Sequence, residues 1–238
     1  MKVTLLIPTL NEIEGMKAIM PRIKPEWCDQ ILISDRSTDG TAEWAEAQGY
    51  QVYRQKKKGL RHAFIEAWPL ITGDYVITFS PDGNSIPELI PNLIESLKEG
   101  HDMVIVSRYK DHAKSQDDDF ITSFGNGLFN FVINMLYSYH YTDCMVMFRG
   151  YRTALFYELG LEKEQSYWQE KPCATVLGCE PLLSIRASKM GCRIAEIPGD
   201  EPPRIGSDRK LQIVRWGLGY MMQMFTEYFS KDYRAKPQ

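Results

Sequence analysis

Two short acidic turns carry the groups in this chain that are best suited to chemistry. Asp35 lies in the first turn, and Asp82 and Asn84 lie in the second; each turn directly follows an apolar run. In an open sheet of parallel strands, ligands bind beyond the carboxyl ends of the strands. Since both turns fall at such ends, the sequence predicts a cluster of oxygen ligands at one sheet edge, suited to a nucleoside diphosphate and its metal ion.

The second turn is the predicted metal site. Asp82 and Asn84 flank Gly83 and can aim two side-chain oxygens at one hard cation such as Mg²⁺ or Mn²⁺. Such a cation takes few protein ligands when phosphate oxygens supply the others. The same residues are also typical of an Asp-Gly-Asn turn that holds no ion. The spacing leaves both interpretations open.

Carboxylates at two successive strand ends are candidates for nucleoside binding. Glu12 follows the first apolar run and Asp35 follows the second. Either can accept hydrogen bonds from a ribose or a base, and either can equally serve as a helix N-cap. Their occurrence as a pair favours the binding interpretation.

Cations for a diphosphate are available at three places. A basic segment at 56–61 ends in Arg61, Arg108 follows the fifth apolar run, and a basic loop at 203–210 contains Arg204. Arginine binds phosphate through two parallel hydrogen bonds, so these arginines are the favoured candidates. For the lysines of the first segment, a solvated surface run is the alternative.

Composition limits the class of protein without identifying it. The chain has 238 residues and a net charge of -3, so its overall charge gives no reason to expect a nucleic acid as a partner. Its five cysteines form no CxxC pair, and their odd number favours a reduced, cytoplasmic protein. Histidines at metal-ligand spacing, GxSxG, GxGxxG and the P-loop are missing, which argues against zinc enzymes, serine hydrolases, dinucleotide oxidoreductases and P-loop NTPases.

Short strands alternate with helical patterns through the first half of the chain. Runs rich in Val, Ile and Tyr predict strands at 3–8, 30–35, 50–54, 75–80 and 103–109. Their alternation with helices favours βαβ units and a mostly parallel sheet flanked by helices. After the second acidic turn, Ser85 and Glu88 predict a capping box that begins a helix. The polar segment 110–119 is predicted to be a mobile loop or lid.

Two later helices combine a narrow polar stripe with a broad apolar face. In the first, at 120–137, Asn126, Asn130 and Asn134 recur every fourth residue, and such a stripe ordinarily faces water. The second, at 209–229, must bury its apolar face against the core, another subunit or a lipid interface. Since no run has the length of a membrane span, membrane contact is predicted to be peripheral, at the inner face.

Seven motifs, taken in order, resemble one family. They are IPTLNE at 7–12, SDRSTDGT at 34–41, SPDGN at 80–84, VSRY at 106–109, SFGNGLFN at 123–130, DCMVMFRGYR at 143–152 and EIPGDEPPRIGSDRK at 196–210. Together they resemble the family 2 glycosyltransferases, most of all dolichol-phosphate-mannose synthases and bacterial polyprenyl-phosphate glycosyltransferases. The resemblance implies an α/β GT-A (nucleotide-diphospho-sugar transferase) fold. It also implies inverting transfer of a sugar from a nucleotide-diphosphate donor to a polyprenyl-phosphate or glycan acceptor.

The resemblance also implies a division of the chain. A catalytic domain would span 1–208, with a nucleotide-binding half at 1–109 and an acceptor-side half at 110–208. An amphipathic helix at 209–229 and a polar tail at 230–238 would follow. Packing of this helix against a second subunit, which would give a homo-oligomer, is the alternative to membrane contact.

The same resemblance assigns residues to roles. It implies Mg²⁺ or Mn²⁺ as cofactor, held by Asp82 and Asn84. Substrate binding falls to Asp82 together with Pro8, Leu10, Glu12, Asp35, Ser37, Arg61, Arg108, Arg204 and Lys210. The catalytic candidates are Asp143, Arg149 and Glu180. A hydroxyl acceptor would need Asp143 or Glu180 as a base, whereas a polyprenyl phosphate is already anionic.

The chain departs from the family pattern at two positions. The family usually has Asp-Asp where this chain has Ser34-Asp35, and Asp-x-Asp where it has Ser80-Pro81-Asp82. Loss of one carboxylate is expected to weaken metal binding. The alternative functions are a sugar-phosphate nucleotidyltransferase, which normally has a glycine-rich loop with Arg and Lys after strand one, and a non-catalytic nucleotide-sugar-binding subunit.

Overall fold

The computed structural model describes residues 1–118, 120–206 and 213–233. In these ranges one sheet contains β1 (Val3–Thr9), β2 (Gln30–Asp35), β3 (Gln51–Arg54), β4 (Tyr75–Thr78), β5 (Met103–Ser107), β6 (Arg149–Arg152) and β7 (Ile194–Pro198). The helices are α1 (Ile13–Ile19), α2 (Thr41–Ala47), α3 (Leu60–Ala67), α4 (Ile90–Lys98), α5 (Phe120–Tyr137), α6 (Thr153–Glu158), α7 (Glu170–Cys173), α8 (Glu180–Lys189) and α9 (Ile213–Phe229). The predicted α/β class with a mostly parallel sheet is confirmed.

The order in which successive strands are added to the sheet reverses beside β1. The order is β3-β2-β1-β4-β6-β5-β7, so β2 and β3 lie on one side of β1 and β4 lies on the other. All neighbouring strands are parallel except β6, which is antiparallel to both β4 and β5. The carboxyl ends of β1 and β4 therefore flank a topological switch point, where α/β sheets bind their ligands.

An apolar layer covers each face of the sheet. On one face α3, α5, α6 and α8 pack against the strands, and Trp68 stacks on Phe156 with ring centroids 3.8 Å apart. On the other face α1, α2 and α4 pack around side chains such as Leu5 and Ile7 of β1. Because Leu6 contributes to the first layer and its two neighbours to the second, β1 is buried on both faces, as expected of a central parallel strand.

Strands β6 and β7 were not predicted from the sequence. The β6 sequence, Arg-Gly-Tyr-Arg, has no apolar run, yet Arg149 is fully buried and Gly150 lies where a Cβ would be 2.9 Å from Leu97 Cδ1. The strand forms because β4 and β5 offer two edges for its backbone hydrogen bonds. This pairing is invisible to local hydrophobic periodicity.

The predicted capping box before α4 is wrong. A 3₁₀ turn at Pro87–Leu89 comes first, α4 begins at Ile90, and no side-chain cap bond forms at either start. Glu88 instead forms a bidentate ion pair with Arg22. A tertiary partner thus replaces the local one.

Helix α9 packs one face against the domain. Tyr220 and Met224 are buried there, and the helix contacts α5, α7 and α8. Core packing, one of the three alternatives for the last helix, is therefore found for this face, while Leu218 and Phe229 remain exposed. The first residues of the predicted helix, 209–212, lie outside the described ranges. Among the described helices, none combines the length and apolar character that a membrane span requires.

Gly15 fixes the contact between α1 and the turn after β4. A Cβ at this position would lie 2.3 Å from the Pro81 carbonyl oxygen. Although alanine favours a helix over glycine, we expect Gly15→Ala to lower the free energy of unfolding by about 1–3 kcal/mol through overpacking. Urea denaturation measures this change.

Gly127→Ala in α5 is the matched control. No atom lies within 4 Å of a Cβ built there, so we expect a gain of about 0.5–1 kcal/mol from helix propensity. Equal effects of the two substitutions would contradict the close approach of α1 to the 81–82 turn.

Candidate functional site

A cleft of about 310 Å³ lies at the carboxyl ends of β4 and β5. The turn after β4 contributes Ser80, Asp82 and Asn84, and Arg108 follows β5. The wall formed by α5, α8 and α9 includes Asn126, Phe129, Glu180, Trp216 and Tyr220. Another surface depression, of about 440 Å³, lies beside α4 and away from these strand ends.

Asp82 is held by an arginine from the far end of the chain. Arg204 donates from Nη1 to Asp82 Oδ2 at 2.8 Å and from Nε to Asp117 Oδ2 at 3.1 Å. The backbone amide of Ile205 donates to the Asp82 carbonyl oxygen at 2.7 Å. The segment around 204 therefore lies against the turn after β4, with Arg204 in contact with Asp82.

Arg108 binds two carboxylates that lie later in the chain, Asp143 and Glu201, and Glu201 in turn contacts this turn through Asn84. Its Nε donates to Asp143 Oδ2 at 2.7 Å and its Nη2 to Asp143 Oδ1 at 3.0 Å, while Nη1 lies 3.3 Å from Glu201. Burial by itself would lower the pKa of Arg108, but the Asp143 carboxylate outweighs it and holds the pKa well above its usual value. Arg108 thus stays charged, and both oxygens of the fully buried Asp143 are occupied.

The predicted metal site contains a carboxylate and a carboxamide, which are ligand types that a hard cation takes. Asn84 Oδ1 is buried and has no hydrogen-bond partner among the described residues, although its Nδ2 donates to Asp117 and Glu201. An unpartnered carbonyl oxygen two residues from a carboxylate fits a cation ligand pair. No group of three or more His, Cys, Asp or Glu within the described ranges is arranged to hold a metal ion. A cation here would depend on other ligands, such as donor phosphates.

The predicted nucleoside residues lie together at the ends of β1 and β2. Asp35 accepts from Thr9 Oγ1 at 2.7 Å and from the backbone amide of Ser37 at 2.9 Å, and it is only 2% exposed. Pro8 pairs with Ser34 across the two strands. Asp35 therefore orders the two loops in this structure.

Other members of this group lie closer to the surface. Leu10 is 41% exposed, whereas Glu12 is buried at the start of α1, with its amide donating to Thr41 Oγ1. The approach of Gly15 to Pro81 brings this group beside the turn that carries Asp82. The structure thus brings the strand ends of β1, β2 and β4 together, as the sequence predicts.

Two predicted arginines lie in the protein interior. Arg61 pairs with Glu170 at 2.6 Å and is buried, and Arg149 is fully buried, with Nε donating to the Val146 carbonyl oxygen and Nη1 to Ser184 Oγ. In this arrangement Arg149 supports the loop at 145–148, which lines the cleft. Direct contact of either arginine with substrate stays a prediction. Lys210 lies outside the described residues.

Glu180 faces the cleft from the first turn of α8. Its Oε1 is buried and has no hydrogen-bond partner in the described part of the chain. Burial raises the pKa of Glu180 because the charged form loses its hydration. The nearby Tyr220 hydroxyl accepts a hydrogen bond from the Gly178 amide at 2.9 Å. The cleft thus contains a carboxyl group that lacks a fixed partner for one oxygen.

Sequence reasoning missed three carboxylates of the cleft. Asp117 and Asp118 lie in the acidic segment that was predicted to be a loop or lid, and Glu201 lies within the last of the seven motifs. Glu201 accepts from Asn84 and Arg108, and burial raises its pKa. The segment 110–118 is tied to it, since the Gln116 amide donates to the Glu201 carbonyl oxygen at 2.8 Å. The run of aspartates at 117–119 is the sequence signal that could have identified Asp117 and Asp118.

The prediction that the asparagine stripe of α5 faces water is wrong. Asn130 and Asn134 hydrogen-bond to the backbone of the loop at 141–144, which carries Asp143. The stripe faces inward because an asparagine side chain can satisfy both a backbone donor and a backbone acceptor of an irregular loop.

The family follows from the match of the chain to known proteins. Residues 4–160 match the family model described as glycosyl transferase family 2. The chain belongs to this family. It is a glycosyltransferase, as the sequence motifs predicted, and the match gives no support to the nucleotidyltransferase alternative.

Several curated proteins are similar over long stretches. Undecaprenyl-phosphate mannosyltransferase of Micrococcus luteus is 27% identical over 243 residues, which cover 92% of this chain and 95% of that protein. Dolichol-phosphate mannosyltransferase of Pyrococcus furiosus is 34% identical over 131 residues, 50% of this chain and 37% of that protein. This glycosyltransferase therefore spans nearly the whole length of the first relative and well under half of the second.

Solved structures share the fold. Glucosyl-3-phosphoglycerate synthase from Mycobacterium tuberculosis, in complex with Mn²⁺, UDP and phosphoglyceric acid, gives a TM-score of 0.68 at 18% identity, covering 97% of this chain and 80% of that one. Mannosyl-3-phosphoglycerate synthase from Rubrobacter xylanophilus gives 0.65 at 17% identity, covering 100% and 77%. The predicted GT-A fold of this glycosyltransferase is confirmed.

The raised pKa of Glu180 predicts a pH-dependent effect of Glu180→Gln. A carboxyl group with a higher pKa in the folded state contributes stability at low pH that is lost as the pH rises through the folded pKa. Glutamine cannot ionise, so the Tm of the variant relative to wild type should increase from about pH 4 to about pH 8. Each 1 kcal/mol would appear as about 2–4 °C in thermal unfolding.

Glu88→Gln provides a control of opposite sign. The hydrogen bond from Arg22 lowers the pKa of Glu88, so this variant should lose stability relative to wild type as the pH rises. A Tm difference for Glu180→Gln that is constant across the pH range would contradict the raised pKa.

Proposed function

We propose that this chain transfers a sugar, with inversion, from a nucleoside-diphosphate sugar to a polyprenyl phosphate. The choice of acceptor rests on the two candidate bases, Asp143 and Glu180, neither of which is a free carboxylate. Asp143 has both oxygens bound to Arg108, and burial of Glu180 disfavours its charged form. A hydroxyl acceptor needs a free base, whereas a phosphate oxygen is already anionic. The names of the Micrococcus and Pyrococcus relatives agree with a polyprenyl-phosphate acceptor.

The charge of the cleft supports a divalent cation, Mg²⁺ or Mn²⁺, as part of the donor complex. Among the described residues that line the cleft, and apart from Glu180, whose charged form burial disfavours, four are acidic and two are basic: Asp82, Asp117, Asp118 and Glu201 against Arg108 and Arg204. A diphosphate would add negative charge to a site that already has an excess of carboxylates. Asp82 and Asn84 would hold the cation, which when bound neutralises charge on the leaving diphosphate.

The arginines would bind the phosphates in this proposal. Arg204 would exchange its contact with Asp82 for donor phosphate oxygens, and Arg108, oriented by Asp143, would present its Nη1 edge to a phosphate. The acceptor oxygen then attacks the anomeric carbon opposite the leaving group. One carbon–oxygen bond forms, the bond to the diphosphate breaks, and no proton has to be transferred.

A lipid-linked acceptor requires the cleft to open near a membrane surface, and α5 offers a suitable face. The helix lines the cleft with Asn126 and Phe129. Its outward side exposes Phe120, Ile121, Phe124, Leu128, Phe131 and Met135. We propose that this face lies in the lipid headgroup region, at the cytoplasmic side, so that the acceptor phosphate reaches the cleft while its chain stays in the bilayer.

Asp82→Ala tests the assignment of the site. Loss of the carboxylate should lower transfer by about 100-fold or more, since it removes a fixed electrostatic contact to the donor complex. The assay measures release of nucleoside diphosphate with polyprenyl phosphate as acceptor, across a panel of nucleotide sugars and with Mg²⁺ or Mn²⁺.

Glu95→Ala, at an exposed ion pair on α4, is the control and should retain wild-type activity. Transfer by Asp82→Ala at a rate close to that of wild type, at saturating donor and metal, would refute the role. Release of pyrophosphate would point to nucleotidyl transfer, and donor binding without turnover would point to a non-catalytic subunit.

The membrane proposal predicts that Phe124→Ser combined with Phe131→Ser abolishes binding to vesicles. In flotation with vesicles that contain anionic phospholipid, wild type should rise with the lipid and the double variant should stay at the bottom, because two exposed aromatic side chains are lost.

Tyr157→Ser, at an exposed position on α6, is the matched control and should still float. Wild-type protein that stays at the bottom at every salt concentration would contradict membrane binding. A wild-type dimer that the double variant converts to a monomer would assign the face to self-association instead.

A further inference from the structure

We infer that Asn130 is a positioning residue for Asp143, and through it for Arg108; this inference rests on the proposed function of the cleft. Asn130 lies on α5, and its side-chain amide spans the backbone on both sides of Asp143. Nδ2 donates to the Thr142 carbonyl oxygen at 2.6 Å, and Oδ1 accepts from the Cys144 amide at 2.9 Å. One side chain therefore fixes the peptide groups that precede and follow the carboxylate.

A second element, β7, also binds this loop. Glu196 of β7 accepts from the Thr142 amide at 3.0 Å and from the Asp143 amide at 3.1 Å. With Asn130 in place, the Thr142 amide and carbonyl, the Asp143 amide and the Cys144 amide all have hydrogen-bond partners. Without it, the Thr142 carbonyl and the Cys144 amide would lose theirs, and an unsatisfied buried group favours rearrangement of the loop.

The position of Asp143 in turn decides that of Arg108. The carboxylate accepts two hydrogen bonds from the guanidinium and one from the Arg108 amide. A bidentate pair of this kind has strict geometric requirements. A shift of the loop at 142–144 would therefore tilt the guanidinium that the proposed function places against a phosphate.

Asn134 makes the same kind of contact one helical turn later. Its Nδ2 donates to the Tyr141 carbonyl oxygen and its Oδ1 accepts from the Tyr141 amide, both at 2.8 Å. Tyr141 precedes Asp143 by two residues and makes a separate hydrogen bond to Ser184. Asn134→Ala therefore removes two equivalent hydrogen bonds from the same loop and helix without releasing the peptides next to Asp143.

The test is a double-mutant cycle in kcat/KM. Asn130→Ala should lower kcat/KM about 10-fold in the wild-type background and less than about 2-fold in the Asp143→Asn background, because its effect passes through the carboxylate. Asn134→Ala should cause a similar loss in Tm, but less than about 3-fold in kcat/KM in either background. A full 10-fold loss in the Asp143→Asn background, or equal kinetic losses for the two alanine variants, would overturn the inference.

A second measurement does not depend on the proposed reaction. Phenylglyoxal modifies accessible arginines, and peptide mass mapping reports the extent at Arg108. Asn130→Ala should increase the modification rate of Arg108 several-fold, while Asn134→Ala should leave it near that of wild type. Unchanged reactivity in Asn130→Ala would overturn the positioning role. Increased reactivity in a protein that transfers no sugar would sustain that role and place the failure with the proposed function.

Discussion

The buried ion pair between Arg108 and Asp143 is the interaction on which the rest of the cleft depends. Asp143 is fully buried, and its charge is compensated by the guanidinium and the backbone amide of Arg108, which replace lost hydration. The pair connects β5 to the loop after α5, and Arg108 extends the connection to Glu201. Removing one partner would leave an uncompensated charge in the interior, which is far more costly than losing a surface pair.

From this pair, a chain of polar contacts reaches the turn after β4. Glu201 contacts Asn84, Asn84 contacts Asp117, and Arg204 joins Asp117 to Asp82. Polar contacts at the cleft therefore link the segments 110–118 and 200–206 to the turn after β4. Such contacts can be exchanged for those of an anionic ligand with little change in the apolar core.

The two sides of helix α5 lie in different environments. Its asparagines bind the loop that carries Asp143, and its outward side exposes large apolar residues such as Phe120, which is 85% exposed. A polar stripe ordinarily marks the solvent side of a helix, but in α5 the polar stripe faces the domain and the apolar side faces outward. An irregular loop inside the domain has backbone groups that need partners, and asparagine supplies both a donor and an acceptor.

Local pattern determined much of this protein. The limits of β2, the parallel βαβ order and the acidic turns at Asp35 and Asp82 follow from hydrophobic runs and turn residues, which act over a few positions. Only the tertiary structure determines that Arg149 is buried in β6, that Asn130 binds the backbone around Asp143 and that Arg204 pairs with Asp82. Each of these contacts satisfies a buried polar group with a partner distant in the chain, and no local periodicity encodes that choice.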